Sequence, residues 1–174
     1  PIGNKIPTFN FSLPFKGSDK AISIDNGTLA TSSEGISIKA NLSAGKSDNT
    51  KSYKVQIASC KINRKGITEI GAILPDSTTA QEIKERLGDL SLKSNVIAQG
   101  KFVNGTIALN TDCGEVNIKI ATDKKGTYNI ESTSEKLNIG RIIGNSRFGH
   151  CTLHSTTSGS YIDSTRYSGA TKTI

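Results

Sequence analysis

The 174-residue sequence contains no Trp and no Met, and its aromatic residues are limited to four Tyr and five Phe. With so few large side chains and a 34% hydrophobic fraction, it has little to fill a thick interior, which excludes a helical bundle and a compact enzyme with a deep cleft. Long apolar runs are also lacking. None approaches the roughly 20 residues that a helix needs to cross a bilayer, and no secretory signal pattern is present. The chain begins at Pro1 rather than Met, so it is expected to be a segment or processed product of a longer protein.

Cysteine is scarce. Cys60, Cys113 and Cys151 are too few and too scattered for a disulfide framework. One bridge with one free thiol stays open as a reading beside three buried thiols, which is preferred because free Cys packs as a small hydrophobe.

Acidic residues are the minority charge, 15 against 22 basic ones, for a net charge of +7 and a pI near 9.4. Such an excess points to nucleic acid, an anionic membrane surface or an acidic protein. The basic residues are scattered, however. The nearest cluster is Lys61, Arg64 and Lys65 with no interleaved aromatics, which argues against a nucleic-acid surface. Lysines on strand faces and edges discourage aggregation, and most are read that way.

Catalytic patterns are absent as well. There is no His-Glu-x-x-His, no Gly-x-Ser-x-Gly and no phosphate-cradling glycine loop. The two histidines, His150 and His154, flank Cys151. On a strand they would share one face while Cys151 takes the other, which defeats convergence on a metal. Asp112 and Glu115 bracket Cys113-Gly114 and read as turn residues rather than an acid/base pair. No catalytic residue, metal or cofactor is expected, and the chain is not read as an enzyme.

What the chain does have is alternation. Ile36, Ile38, Ala40 and Leu42 interleave with polar residues, as do Tyr53, Val55 and Ile57, then Ile107 and Leu109, then Val116, Ile118 and Ile120. Alternation places one dry and one wet face on each strand, the habit of antiparallel sheets. Asn26-Gly27 and Asn104-Gly105 read as hairpin turns, with Lys65-Gly66 and Lys125-Gly126 as weaker ones. One stretch departs from this: Thr79 and Glu82 have capping-box spacing, Ile83 and Leu87 share a face, and Gly88 can end a helix over about 79–87.

The chain also repeats itself. Asn26-Gly27-Thr28-Leu29-Ala30 matches Asn104-Gly105-Thr106-Ile107-Ala108, and Ile36-Ser37-Ile38-Lys39 matches Val116-Asn117-Ile118-Lys119. Tyr53, Val55, Ser59, Lys61, Ile62 and Asn63 then align with Tyr128, Ile130, Ser134, Lys136, Leu137 and Asn138. The expected organisation is a leading region 1–20 with no recognisable pattern, a first β repeat over 21–74, a helical insertion over 75–88 and a second β repeat over 89–174. Stacked repeats have no natural end, so the array is expected to continue in the parent protein.

The segments Gly100-Lys101-Phe102-Val103-Asn104-Gly105, Leu109-Asn110-Thr111-Asp112-Cys113-Gly114-Glu115-Val116 and Lys136-Leu137-Asn138-Ile139-Gly140-Arg141-Ile142-Ile143-Gly144-Asn145 resemble the repeated segments of the TamB/AsmA-like envelope proteins. Residues 88–160 carry most of that resemblance, and 26–66 carry a weaker copy. It implies an all-β, elongated, curled antiparallel sheet, a groove or open sandwich, with one short helix near 79–87 and the last motif as a strand exit. It further implies a periplasmic segment of an inner-membrane-anchored parent that moves phospholipid between membranes or helps assemble outer-membrane and surface proteins. The implied partners are phospholipid or other acyl chains, an outer-membrane β-barrel protein and adjoining repeats of the same chain.

On this reading the groove is lined by Ile36, Ile38, Leu42, Val55, Ile57, Ile107, Leu109, Val116, Ile118, Ile120 and Ile130. The same residues would serve equally as the core of a closed β-sandwich. The alternative function is a surface-exposed β-sandwich adhesin or glycan-binding repeat, for which Tyr161 and Tyr167 are the only aromatic candidates outside the repeat.

Overall fold

The computed structural model describes residues 7–47, 50–71, 77–123, 125–163 and 166–173, without the side chains of 47, 77–80, 83, 161–163 and 166–169. Eleven strands are seen: β1 Phe9–Ser12, β2 Phe15–Gly17, β3 Ala21–Thr31, β4 Ile36–Ser47, β5 Thr50–Ile62, β6 Leu90–Gln99, β7 Phe102–Thr111, β8 Gly114–Thr122, β9 Thr127–Asn138, β10 His150–Asp163 and β11 Arg166–Thr173. They form one open antiparallel sheet in the order β1-β3-β4-β5-β6-β7-β8-β9-β10-β11, with β2 also on β3. Beyond β3, each strand pairs with its neighbours in sequence. The all-β, antiparallel architecture expected from the alternation is therefore present, as one open sheet. No second sheet packs on it among the described residues, so the closed sandwich is not the arrangement.

The two edges differ. At one, β1 and β2 lie end to end along β3 on either side of Pro14, which has no N–H to offer a further strand. At the other, β11 is a single continuous strand along β10, their pairing shifting register once between Tyr161 and Asp163.

Among the described residues three helices occur where one was expected. The helix placed at 79–87 is α2, Ser77–Arg86; the Thr79 cap and the Ile83 side chain lie outside the described residues. The two unexpected helices are α1, Arg64–Gly71, and α3, Ile139–Ile143. Each begins at an asparagine that closes a strand. Asn63 Oδ1 accepts from the backbone N–H of Lys65 at 3.0 Å and of Gly66 at 3.1 Å, and Asn138 Oδ1 accepts from Arg141 N–H at 2.9 Å. These bonds satisfy N–H groups that a helix start leaves orphaned. Lys65-Gly66 is thus the first turn of a helix rather than a hairpin, and Gly66 is required there: a Cβ would lie 2.1 Å from the Gly35 carbonyl oxygen. Likewise Ile139–Ile143 is a helix, not a strand exit, ended by Gly144 in the left-handed region at φ 72°.

Asn26-Gly27 and Asn104-Gly105 are not turns but lie inside β3 and β7. Asn26, at φ 56°, supplies the left-handed residue of a bulge in β3. Gly105 lies where neighbouring strands approach closely: a Cβ there would meet the Asn95 carbonyl oxygen at 2.3 Å and Val96 Cα at 2.7 Å. Lys125-Gly126 does lie in the turn between β8 and β9, with Gly126 at φ 84°.

All three helices sit at one end of the sheet, where β5 leaves, β6 enters, and β9 hands over to β10. Helix α1 packs on α2, and α2 touches α3. The small core lies under them: Ile36, Ile67, Cys113 and Leu137 are buried, with Thr31 and Ser134. Both buried hydroxyls are bonded; Thr31 Oγ1 accepts from Ile36 N–H at 3.0 Å and Ser134 donates to the Glu115 carbonyl. We call this the capped end and the opposite one the open end.

Candidate functional site: one apolar face of the open sheet

Directly paired residues of an antiparallel sheet project to the same side, so the register decides what each face displays. One row across the sheet runs Leu29, Ile38, Cys60, Leu92, Leu109, Val116. The next runs Gly27, Ala40, Ile57, Ser94, Ile107, Ile118, Ser132. A third runs Ile24, Leu42, Val55, Val96, Gly105, Ile120, Ile130. Ile36 pairs with Ile62 in the row nearest the helices. All eleven residues that sequence reasoning placed along a groove therefore share one face.

Keeping Leu29, Cys60 and Leu137 on that face as well requires three corrections of phase. In β3, β5 and β9 the apolar residues change parity within the strand: Ile24 to Gly27, Ile57 to Cys60, Ser134 to Leu137. A bulge falls at each change. The extra residue restores the side of the sheet that the sequence would otherwise have reversed.

Burial along this face is graded. In β4, Ile36 under the helices is 5% exposed, while Leu42 on the same side of the same strand is 40% exposed. Its partner Val55 is 39% exposed, and Ile22 and Tyr53 one row further are about half exposed. The central strands β6 and β8 alternate half-buried on this face with exposed on the other. At Gly105 the backbone of β6 closes over β7 from the apolar side, so the sheet is creased toward that face.

The face extends further than the sequence reading carried it. Phe11 pairs with Leu29 and Phe15 with Ile24, at 69% and 65% exposure. Residues 1–20 were read as patternless, yet Phe9, Phe11, Leu13 and Phe15 alternate strictly. The signal was the period of two, interrupted by Pro14 at a polar position. In the other direction the face loses its apolar character, with Ser155 and Thr157 from β10 beside Thr171 and Thr173 from β11.

The opposite face is polar, with a row of Asn41, Gln56, Asn95, Thr106, Lys119 and Glu131. His154 lies there, its Nε2 3.9 Å from Glu131, whereas Cys151 pairs with Leu137 on the apolar side. No three His, Cys, Asp or Glu side chains gather to hold a metal among the described residues. The three cysteines are free thiols; Cys113 is buried, and Cys60 and Cys151 are half-buried. Burial raises the Cys60 and Cys113 thiols above their ordinary value, so both stay protonated at neutral pH, and Cys113 donates to the Arg86 carbonyl at 2.9 Å.

At the capped end a cleft of about 400 Å³ is lined by Glu34, Asp89, Asp112 and Lys61 among others. Two of its carboxylates, Asp89 and Asp112, are engaged in structure. Asp112 bridges Arg64 of α1 at 2.9 Å and Arg141 of α3 at 3.3 Å, and Asp89 accepts from Arg64 N–H at 3.0 Å. The Arg64 hydrogen bond, more than any other contact, holds the Asp112 carboxyl below the usual carboxylate range. Glu115 points to Asn117 on the polar face, away from this cluster. The arrangement fastens helices to the sheet. The chain matches no protein-family model, no curated protein and no solved structure.

Proposed function

We propose that this chain is a repeated segment of a periplasm-spanning envelope protein whose creased apolar face shelters the acyl chains of phospholipids moving between the inner and outer membranes. The observation that carries this reading is the pair of apolar rows through Ile57, Ile107 and Ile118 and through Leu42, Val55 and Ile120, half-exposed and uncovered by any second layer among the described residues. Burying such a surface under hydrocarbon is favourable by about 25 cal/mol per Å². A sliding acyl chain needs continuity and weak sites rather than polar contacts, and this face offers both. The unbroken β11 edge adds a row of backbone groups on which an adjoining repeat or a barrel protein at the outer membrane would pair.

The test is photo-crosslinking in cells of the full-length parent, with the reactive side chain at Ile118 or, on the opposite face, at Asn117. Lipid adducts at Ile118 and none at Asn117 are expected. Adducts at neither position, with Ile118 linking only to protein, would remove the lipid reading. The second reading, an adhesive or glycan-binding repeat, draws on Phe11 and Phe15, whose exposed rings are suited to stacking on a sugar. It requires glycan binding that Phe11→Ala and Phe15→Ala abolish.

A further inference from the structure

The two ends of the sheet carry different charge, and the difference lies in the turns. At the capped end the turn acids Glu34 and Asp112 sit among Arg64, Lys65 and Arg141 of the helices, and Asp112 is ion-paired twice. At the open end lysines recur instead: Lys20 before β3, Lys46 and Lys51 flanking the β4–β5 turn, Lys101 between β6 and β7, and Lys125 between β8 and β9. All five are exposed, and none has an ion-pair partner among the described residues. The acids there whose side chains are described are Asp19 and Asp123, with Asp163 described in its backbone alone, and the Asp123 carboxylate is occupied by the N–H groups of Lys125 and Thr127. These turns lie together: Lys46 N–H donates to the Lys20 carbonyl, Gly100 N–H donates to the Lys51 carbonyl, and Lys101 reaches to within 3.4 Å of a Cβ built on Gly126.

The lysine row borders the apolar face beside its half-exposed row of Ile22 and Tyr53. Ala44 and Tyr53 form the last apolar pair of β4 and β5; Lys46 and Lys51, the pair two residues beyond, project to the same side. Two residues of extended strand separate them by roughly 7 Å. An apolar wall edged at that distance by unpaired ammonium groups matches an amphiphile with a hydrocarbon body and an anionic head.

The geometry points to the open end as a docking surface for an anionic phospholipid bilayer, with the lysines against headgroup phosphates and the exposed row of Ile22 and Tyr53 toward the acyl region. This rests on the acyl-chain reading of the face and adds which end meets the membrane and which headgroup charge it selects. Juxtamembrane lysines act additively on an anionic surface, so removing all five has a large effect.

Flotation of the full chain with vesicles tests it. One set is phosphatidylcholine alone; the other is phosphatidylcholine with phosphatidylglycerol. The expected result is capture by the mixed vesicles only, reduced by more than about tenfold when Lys20, Lys46, Lys51, Lys101 and Lys125 are all changed to Gln. A control of equal charge, with Lys39, Lys54, Lys61, Lys93 and Lys119 of the polar face changed to Gln, keeps capture within about twofold. Equal loss in both variants, or equal capture by neutral vesicles, overturns the docking surface. Labelling by a photoreactive fatty acid at Ile118, read in the same proteins, separates the two readings. Labelling retained while the first variant fails to float supports both. Lysine-dependent flotation without labelling upholds the docking end and removes the acyl-chain reading alone.

Discussion

The capped and open ends of this sheet are built from the same kind of residue in the same strands, and they differ in what covers them. Ile36 and Leu42 occupy one face of β4, yet one is buried and the other is 40% exposed. The helices make the difference: Ile67 of α1 is buried at the same end as Ile36, and no element plays that part for Leu42 among the described residues. Stability is therefore concentrated at one end of the molecule, and the exposed apolar surface available for binding at the other. Neither property follows from hydrophobicity alone.

The sharpest way to break this contrast is truncation on each side of it. Ile36→Ala and Leu137→Ala should each lower the free energy of unfolding by about 2–4 kcal/mol, measured by urea titration, because each opens a cavity under the helices. Leu42→Ala and Val55→Ala should each cost less than about 1 kcal/mol, since much of what is removed already faced solvent. Comparable losses at both ends would mean that the open end is covered in solution. A second, smaller effect comes from close approach. Gly66→Ala drives a methyl into the Gly35 carbonyl and should cost about 1–3 kcal/mol, whereas Gly149→Ala, with nothing within 4 Å of the new carbon, should stay within about 0.5 kcal/mol.

The helix starts come next. Asn63→Ala and Asn138→Ala should each lose about 1 kcal/mol, and the double variant should lose close to the sum because the two caps share no partner. The smallest effect is electrostatic. The folded state holds Asp112 ionised to lower pH than the unfolded chain does, so its contribution is present above the ordinary carboxylate value and is lost as pH falls through the depressed one. Asp112→Asn should remove that part of the acid dependence, giving a shallower decline in urea midpoint from neutral pH into the acid range.

Much of this fold was legible as a period of two. The alternation from Ile36 to Leu42 and from Val116 to Ile120 identified strands, their wet and dry sides and antiparallel pairing, but left an open sheet and a closed sandwich equally possible. Three strands change phase, near Asn26, Ile57 and Ser134, and there the same signal marked bulges that were not recognised as such. The dipeptide Asn-Gly misled because its usual meaning is a tight turn, whereas β3 uses the positive φ of Asn26 for a bulge and β7 uses the missing Cβ of Gly105 for a close backbone approach. Helices α1 and α3 are eight and five residues long, too short for periodicity to declare them. Their caps, Asn63 and Asn138, had been aligned as a repeated position without being seen as helix starts. The candidate face was readable strand by strand. That its rows join across seven strands depends on register, which no single strand encodes.

The succession of strands has a kinetic meaning too. Because nearly every strand hydrogen-bonds to the one just made, each pairing closes only a short loop, and ordering proceeds by local zipping rather than by distant search. The longest closure between consecutive paired strands lies between β5 and β6, where α1 and α2 intervene. Amide exchange should reflect this as a ranked series of openings, slowest beneath the helices and fastest toward β11, in place of one global event.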